Sequence, residues 1–245
     1  MRDAPLSADA TTTVQQTLGD GTRIERRGTA RYYRDGAGPV RVEQTITGLE
    51  ALSPSVEGQV RITIQPKPAD GMVYTLDPVT RTARIGPRSG ADWAVGGGQT
   101  FAVPLGGFRF LVFARGQALL ERAGLGANPI EEESLGIRQI SGVEVSGKRI
   151  TVTVPAGQLG NDRPMQIVDE RWESPQLKMV IYARHSDPRT GVIDYRLANI
   201  RRTEPALDLF VMAADYTMVR GRDWIELEFA DPPKGSKELP GGRQR

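Results

Sequence analysis

Cysteine is absent from the 245 residues. That excludes disulfides, thiolate zinc sites and a lipid-modified N-terminal cysteine. It leaves the compartment open, since many exported proteins also lack cysteine. Histidine occurs once, at His185. One imidazole is too few for a His-ligated metal site, and a general base would have to be this residue or a carboxylate. An excess of one charge is missing too, with 32 basic against 30 acidic residues and a net charge of +2. A nucleic-acid binder concentrates basic residues, and no run here does so without interleaved acids, so no nucleic-acid partner is expected. Long apolar runs are also lacking. The most apolar, residues 108–114, falls far short of the roughly 20 residues of a membrane span. The opening MRDAPLSADATTT has no apolar core and is not a signal peptide. The expectation is either a cytosolic protein or a mature form whose initiator Met stands where a leader was removed.

What is present is alternation. Residues 166–216 read as three consecutive antiparallel strands, a short helical or irregular piece and an extended exit. Leu177, Met179, Ile181 and Ala183 fall on one face, and Ile193, Tyr195 and Leu197 on one face of the next run. A period of two marks strands with one buried side. Between the two runs lies Ser186-Asp187-Pro188-Arg189-Thr190-Gly191. Its proline pre-sets φ, its aspartate caps its own backbone and its glycine takes a positive φ, so the sequence predicts a turn there.

The same punctuation runs along the chain. Residues 11–18 lead through Gly19-Asp20-Gly21 into a strand over 22–34, with Arg23, Glu25, Arg27, Thr29 and Arg31 on one face. A solvated sheet face explains these charges better than an anion site. Val40, Val42 and Ile46 point inward in the next strand, which is followed by a loop over 48–59. Strands over 60–65, 72–77 and 80–85 come next, separated by turns at 67–71 and Pro78. Residues 87–130 are glycine-rich and hold no clear alternation, with a short helix expected at 117–123. They form an insertion or lid rather than a domain, being too short for a core of their own. Strands resume over 134–140 and 143–155, with Ile150, Val152 and Val154 inward. Residues 223–229, DWIELEF, alternate Ile225, Leu227 and Phe229 with Trp224, Glu226 and Glu228, which makes one more strand. It pairs either with an open edge of its own sheet or with another copy.

About ten short strands with little helix imply a mainly β fold: an antiparallel, strongly curved sheet that hides one face. The expected organisation is a flexible tail over 1–10, a single β domain over 11–232 and a disordered tail over 233–245.

Four stretches carry a resemblance: YYRDGAGPVRVEQ, MVYTLDPVTRTARI, ESLGIRQISGVEVSGKRITVTVP, and the run from RWESPQLKMVIYARHSDPRTG to AADY. Together they resemble a group of uncharacterised exported bacterial proteins related to the outer-membrane lipoprotein-carrier (LolA/LolB-like) superfamily. The likeness spans most of residues 11–219 and rests on turns and strand edges. The group's second Arg before the Glu is Val42 here. The resemblance implies an unclosed half-barrel, a periplasmic or extracellular location, and a concave face that holds an acyl chain or other hydrophobic small molecule or lipid. The residues expected to line that face are Trp172, Met179, Ile181, Tyr195 and Leu197. As aromatics on strands, Trp172, Tyr182, Tyr195 and Phe210 are more often plain core.

Catalytic chemistry is thin. His185-Ser186-Asp187 holds the residue types of a triad, but neighbours in one turn do not assemble nucleophile, base and orienting group in line. Glu131-Glu132-Glu133 alternate sides in an extended chain and make a solvated linker rather than a cation site. Gly96-Gly97-Gly98-Gln99 lacks the lysine and the strand–helix context of a phosphate loop. No catalytic residue, metal site or cofactor is expected. Two classes remain ahead of an enzyme: a binding or carrier protein, and a structural exported protein that assembles through strand 223–229.

Overall fold

A computed structural model describes residues 5–45, 60–66, 72–87, 101–105, 108–112 and 128–219. Outside these lie Ile46, the loop over 48–59, the turn at 67–71, Gly96-Gly97-Gly98, the helix expected at 117–123, the strand expected at 223–229 and the tail over 233–245. The strands are β1 (Leu6–Thr17), β2 (Arg23–Arg34), β3 (Val40–Thr45), β4 (Val60–Gln65), β5 (Met72–Asp77), β6 (Thr82–Pro87), β7 (Phe101–Leu105) and β8 (Phe108–Val112). They continue with β9 (Ile130–Ile140), β10 (Val143–Val154), β11 (Met165–Ser174), β12 (Met179–Asp187) and β13 (Gly191–Arg201). A 3-10 turn, Leu207–Phe210, precedes the short β14 (Thr217–Met218).

Twelve strands form one sheet in the order β14-β6-β5-β4-β3-β2-β1-β13-β12-β11-β10-β9. The order starts and finishes on different strands, so the sheet is an unclosed half-barrel of the expected mainly antiparallel β class. Only the β14–β6 pair is parallel among the described residues. The predicted turns are where the sequence puts them. Asp20 caps the amide of Thr22 at 2.9 Å, and Asp187 caps that of Arg189 at 2.9 Å. Gly191 closes the β12–β13 turn at φ 99°.

Two long-range hydrogen bonds demonstrate the curl. Ser141, at the β9–β10 turn, donates through Oγ to the carbonyl of Leu197 on β13 at 2.5 Å. Arg34, at the end of β2, donates through Nη2 to the carbonyl of Leu177 in the β11–β12 turn at 3.0 Å. Two strands intervene in each case, and on a flat sheet the partners would lie about 14 Å apart.

Three boundaries differ from the sequence reading. The first strand begins at Leu6, not at residue 11, and Leu6, Ala8 and Ala10 are buried, so the second half of the expected flexible tail over 1–10 is strand. Alanines alternating with Ser7 and Asp9 give a faint apolar period, which is why the pattern reads as a tail. Within the 87–130 insertion, β7 and β8 form a separate hairpin in which Leu105 stands opposite Phe108. Its arms are short apolar runs, which carry no period of two, and a two-residue Gly-Gly link in the sequence is a strong hairpin signal. The strand expected from residue 134 starts at Ile130 and therefore takes in Glu131, Glu132 and Glu133, which are ladder residues rather than a linker.

The main core gathers Leu6, Ala8, Ala10, Tyr32, Val40 and Val42 from the first strands with Met179, Ile181, Ala183, Tyr195 and Leu197 from β12 and β13. A second cluster, Ile62, Ile64, Leu76 and Ala83, packs against Met212 and Tyr216 from the segment after the 3-10 turn. Arg41 ties down the 3-10 turn before it by donating to the carbonyl of Leu209 at 3.0 Å. A third cluster joins Val152, Val154 and Ile167 to Ile150 and Met165, in keeping with the inward reading of Ile150, Val152 and Val154.

Candidate ligand-binding face

Strand register assigns side chains to the two faces, because directly opposed residues share a face and successive residues alternate. Tyr195 stands opposite Thr12 on β1 and Ala183 on β12, and Leu197 opposite Ala10. Ala10 in turn stands opposite Ala30, and Ala8 opposite Tyr32. One face thus presents a floor of small residues, Ala8, Ala10, Ala30 and Ala183, flanked by Tyr32, Tyr195 and Leu197. Met179 and Ile181 join the same buried cluster at the end of β12. There the β12–β13 ladder has stopped at Tyr182 opposite Arg196, and Met179, Val180 and Ile181 are all buried in succession.

Trp172 is placed differently from the other four residues. It stands opposite Tyr182, which stands opposite Arg196, so its strand position belongs to the face that Tyr195 does not share. Its ring is occupied by the protein itself. The Arg138 guanidinium lies 3.6 Å from the ring centroid, and the indole Nε1 donates to Glu170 at 2.6 Å. A Cβ added at Gly147 would meet the ring at 2.5 Å. The indole belongs to the main cluster all the same, and is 4% exposed.

That second face carries a charge ladder that the sequence does not disclose. Glu133, Arg149, Glu170, Arg184 and Asp194 stand opposite one another in turn across β9 to β13. Arg149 reaches Glu133 at 2.9 Å and Glu170 at 3.2 Å, and Arg184 reaches Asp194 at 3.2 Å. Burial opposes ionisation of Glu170, but hydrogen bonds from Trp172 and Arg149 outweigh it and hold the carboxyl below its ordinary range. Alternating signs across neighbouring strands satisfy one another, which makes the ladder a sheet-stabilising device.

His185 and Asp169 form an ion pair, Nδ1 to Oδ1 at 2.7 Å, with both side chains mostly buried. Burial disfavours the charged ring, yet the hydrogen bond and charge of Asp169 more than offset it and raise the histidine pKa above its ordinary value. Ser186 follows His185 in the strand and so faces the other way, which keeps the triad residue types apart. Asp187 is engaged by Arg189, whose guanidinium binds its Oδ2 at 2.5 Å.

Sequence reasoning overlooked Tyr32, which is buried in the same cluster as Tyr195. Burial pushes its phenol up to about 12, while its hydrogen bond with Tyr195 works the other way. Burial likewise holds Tyr195 well above the ordinary tyrosine range. The available signal was alternation, since Ala30, Tyr32 and Arg34 recur with period two opposite a strand whose own pattern reads as a tail.

No family model matches the chain, and no curated protein matches it. Several solved structures are similar to it. An uncharacterized conserved protein from Thermus thermophilus has 12% identity and a TM-score of 0.44, with 89% of this chain and 91% of that one covered. The LolA superfamily protein NE2245 from Nitrosomonas europaea has 9% identity and a TM-score of 0.34, covering 86% and 91%. LprF from Mycobacterium bovis has 13% identity and a TM-score of 0.34, covering 82% and 88%. The second of these belongs to the superfamily that the sequence resembles.

Proposed function

We propose that this chain is a non-enzymatic binding or carrier protein that works outside the cytoplasm and holds a lipid-like or other hydrophobic ligand on the inner face of its half-barrel. One observation carries the reading: Met179, Ile181, Tyr195 and Leu197 gather with Ala8, Ala10 and Tyr32 on an apolar surface of a sheet that never closes. An unclosed sheet can admit a chain-like ligand by parting at its open side, which a fully paired barrel cannot do. The carrier-like pattern of the sequence supports the same reading. Trp172, turned to the other face, serves as packing. Native mass spectrometry after gentle purification tests the proposal. The expected result is a folded protein carrying extra mass that organic extraction removes and lipid analysis identifies. A protein that is purified ligand-free and takes up no lipid from mixed vesicles would overturn it.

A second reading is favoured by the position of β14. This strand ends the sheet order, and the chain continues from it towards residues 223–229. An added apolar strand at that edge could pair within the molecule or with a second copy. Truncation after Arg222 separates the two. Internal pairing predicts a monomer with a lower melting temperature, whereas exchange between copies predicts a stable monomer that has lost assembly.

A further inference from the structure

The charge ladder on the second face stops on an acid at an open edge. From β13 to β9 it runs Asp194, Arg184, Glu170, Arg149, Glu133, so the signs alternate from strand to strand. Arg149 donates to Glu133 Oε2 at 2.9 Å, and the glutamate side chain is 54% exposed. β9 ends the sheet order, and no strand among the described residues pairs with its outer side. None of its eleven residues is buried, and Ile137 is 72% exposed. The backbone groups along such an edge are a template for another strand. A strand added in the same row would continue the alternation only by placing a cation beside Glu133.

An irregularity in β9 restricts what can be added. Gly147 stands opposite Gly136 and Lys148 opposite Ser134, so Leu135 is an extra residue, and Gly136 takes φ 75°. This is a β-bulge, and it puts the two halves of β9 out of phase. Glu133 stands opposite Arg149 and Arg138 opposite Val145, so Glu133 and Arg138 share a face although they are five positions apart. In a regular strand, residues that far apart point to opposite faces. A regular strand laid along β9 would therefore match one half and miss the other. A strand with the same bulge stays in phase over both halves. β9 is itself such a strand.

We propose that β9 pairs with β9 of a second copy of this chain, antiparallel about a two-fold axis at the Leu135–Gly136 bulge. In this register Glu133 faces Arg138 of the second copy, Glu132 faces Gln139 and Ser134 faces Ile137, each contact occurring twice by symmetry. Arg138 is the cation that the row lacks. It lies on the ladder's face, with its guanidinium over the Trp172 ring and its side chain 49% exposed. The carboxylate of its own chain, Glu170, stands beyond hydrogen-bond reach at 4.0 Å. Glu131, two residues from Glu133 on the same face, adds a second acid diagonal to the incoming arginine. In the separated chain the outer amides of β9 face water and open first, and the pairing covers them. This edge is the opposite end of the sheet from β14, so the interface is independent both of residues 223–229 and of any ligand on the inner face.

The absence of cysteine lets disulfide trapping read the register. Ser134→Cys and Ile137→Cys are made separately in the full chain, at exposed positions, and then mixed under mild oxidation. Opposed residues of an antiparallel ladder have Cα atoms about 4.5–5.5 Å apart, within disulfide reach. In either variant alone the like cysteines would be about 11 Å apart. The mixture should therefore form a cross-linked dimer that neither variant forms at a comparable rate. Sedimentation equilibrium supplies a second measurement. Arg138→Glu and Glu133→Lys should each weaken the dimer about tenfold or more, because each sets like charges opposite one another twice. An equimolar mixture of the two should restore it, since every contact then joins opposite charges. A wild type that stays monomeric at its highest soluble concentration would overturn the proposal. Cross-linking no faster in the mixture than in the single variants would overturn it too. So would a dimer that both charge variants keep and truncation after Arg222 abolishes, which would place assembly at residues 223–229 instead.

Discussion

At the scale of single residues, His185 is the clearest reporter. It is the one histidine of the chain and is paired with Asp169 in the folded state. Its pKa is raised on folding, so its contribution to stability is complete below the unfolded value of about 6.5 and is lost as pH rises through the folded value. The melting temperature should therefore decline from about pH 6.5 upward, and His185→Gln should flatten that decline. Thermal unfolding across this window in both proteins checks it, and parallel curves would contradict it. Gly147 makes a second case. Its missing side chain is what lets the Trp172 ring lie against β10, since a Cβ there would sit 2.5 Å from the indole. Gly147→Ala should cost about 1–3 kcal/mol in urea denaturation, the usual penalty for overpacking. Trp172→Leu should relieve much of that added cost in the double variant, because residues in contact do not act additively.

Among the elements, β1 decides most. It lies between β2 and β13, paired along its length to the former and over most of it to the latter. It is therefore the strand that joins the first half of the sheet to the second. Leu6, at its start, is 1% exposed. Leu6→Ala should destabilise the fold by about 2–5 kcal/mol, the range for emptying a buried leucine site, whereas a residue in a flexible tail would tolerate the change. Chemical denaturation distinguishes the two. The β12–β13 turn depends on backbone space in a similar way. Gly191 adopts a positive φ, and a Cβ there would strike the Gln15 carbonyl oxygen of β1. The turn that the sequence announces so clearly is thus also a point of close approach to the central strand.

For the molecule as a whole, the β1–β13 pairing brings residues nearly two hundred positions apart into register, with Ser7 opposite Arg201. Such non-local pairing forms late and slowly, and it couples the two ends of the chain into one cooperative unit. Native-state hydrogen exchange should show the amides of β1 and of β13 around Tyr195 exchanging only through global unfolding, with the edge strand β9 opening at lower free energy. Early exchange of β1 would mean that the two halves of the sheet unfold separately. The same arrangement governs the buried face, because Tyr32 and Tyr195 lie on strands either side of β1 and share one core only when β2, β1 and β13 are assembled.

Much of this was already legible in the sequence. Alternation over 179–197 and the Asp187–Gly191 turn determined the β12–β13 hairpin, since a period of two and turn chemistry are local properties. The absence of cysteine and the single histidine determined which chemistries are closed to the chain. All five residues expected to line that face, Trp172, Met179, Ile181, Tyr195 and Leu197, are buried in the main core cluster. What the sequence could not decide were relations between distant strands. Trp172 alternates with its neighbours like any strand residue, and only the register against Tyr182 and Arg196 turns it to the other face. The charge ladder from Glu133 to Asp194, the Asp169–His185 pair and the Arg34–Leu177 hydrogen bond each join residues from different parts of the sheet. No local pattern encodes such pairs, because strand order and stagger are set by how the whole sheet buries its apolar faces.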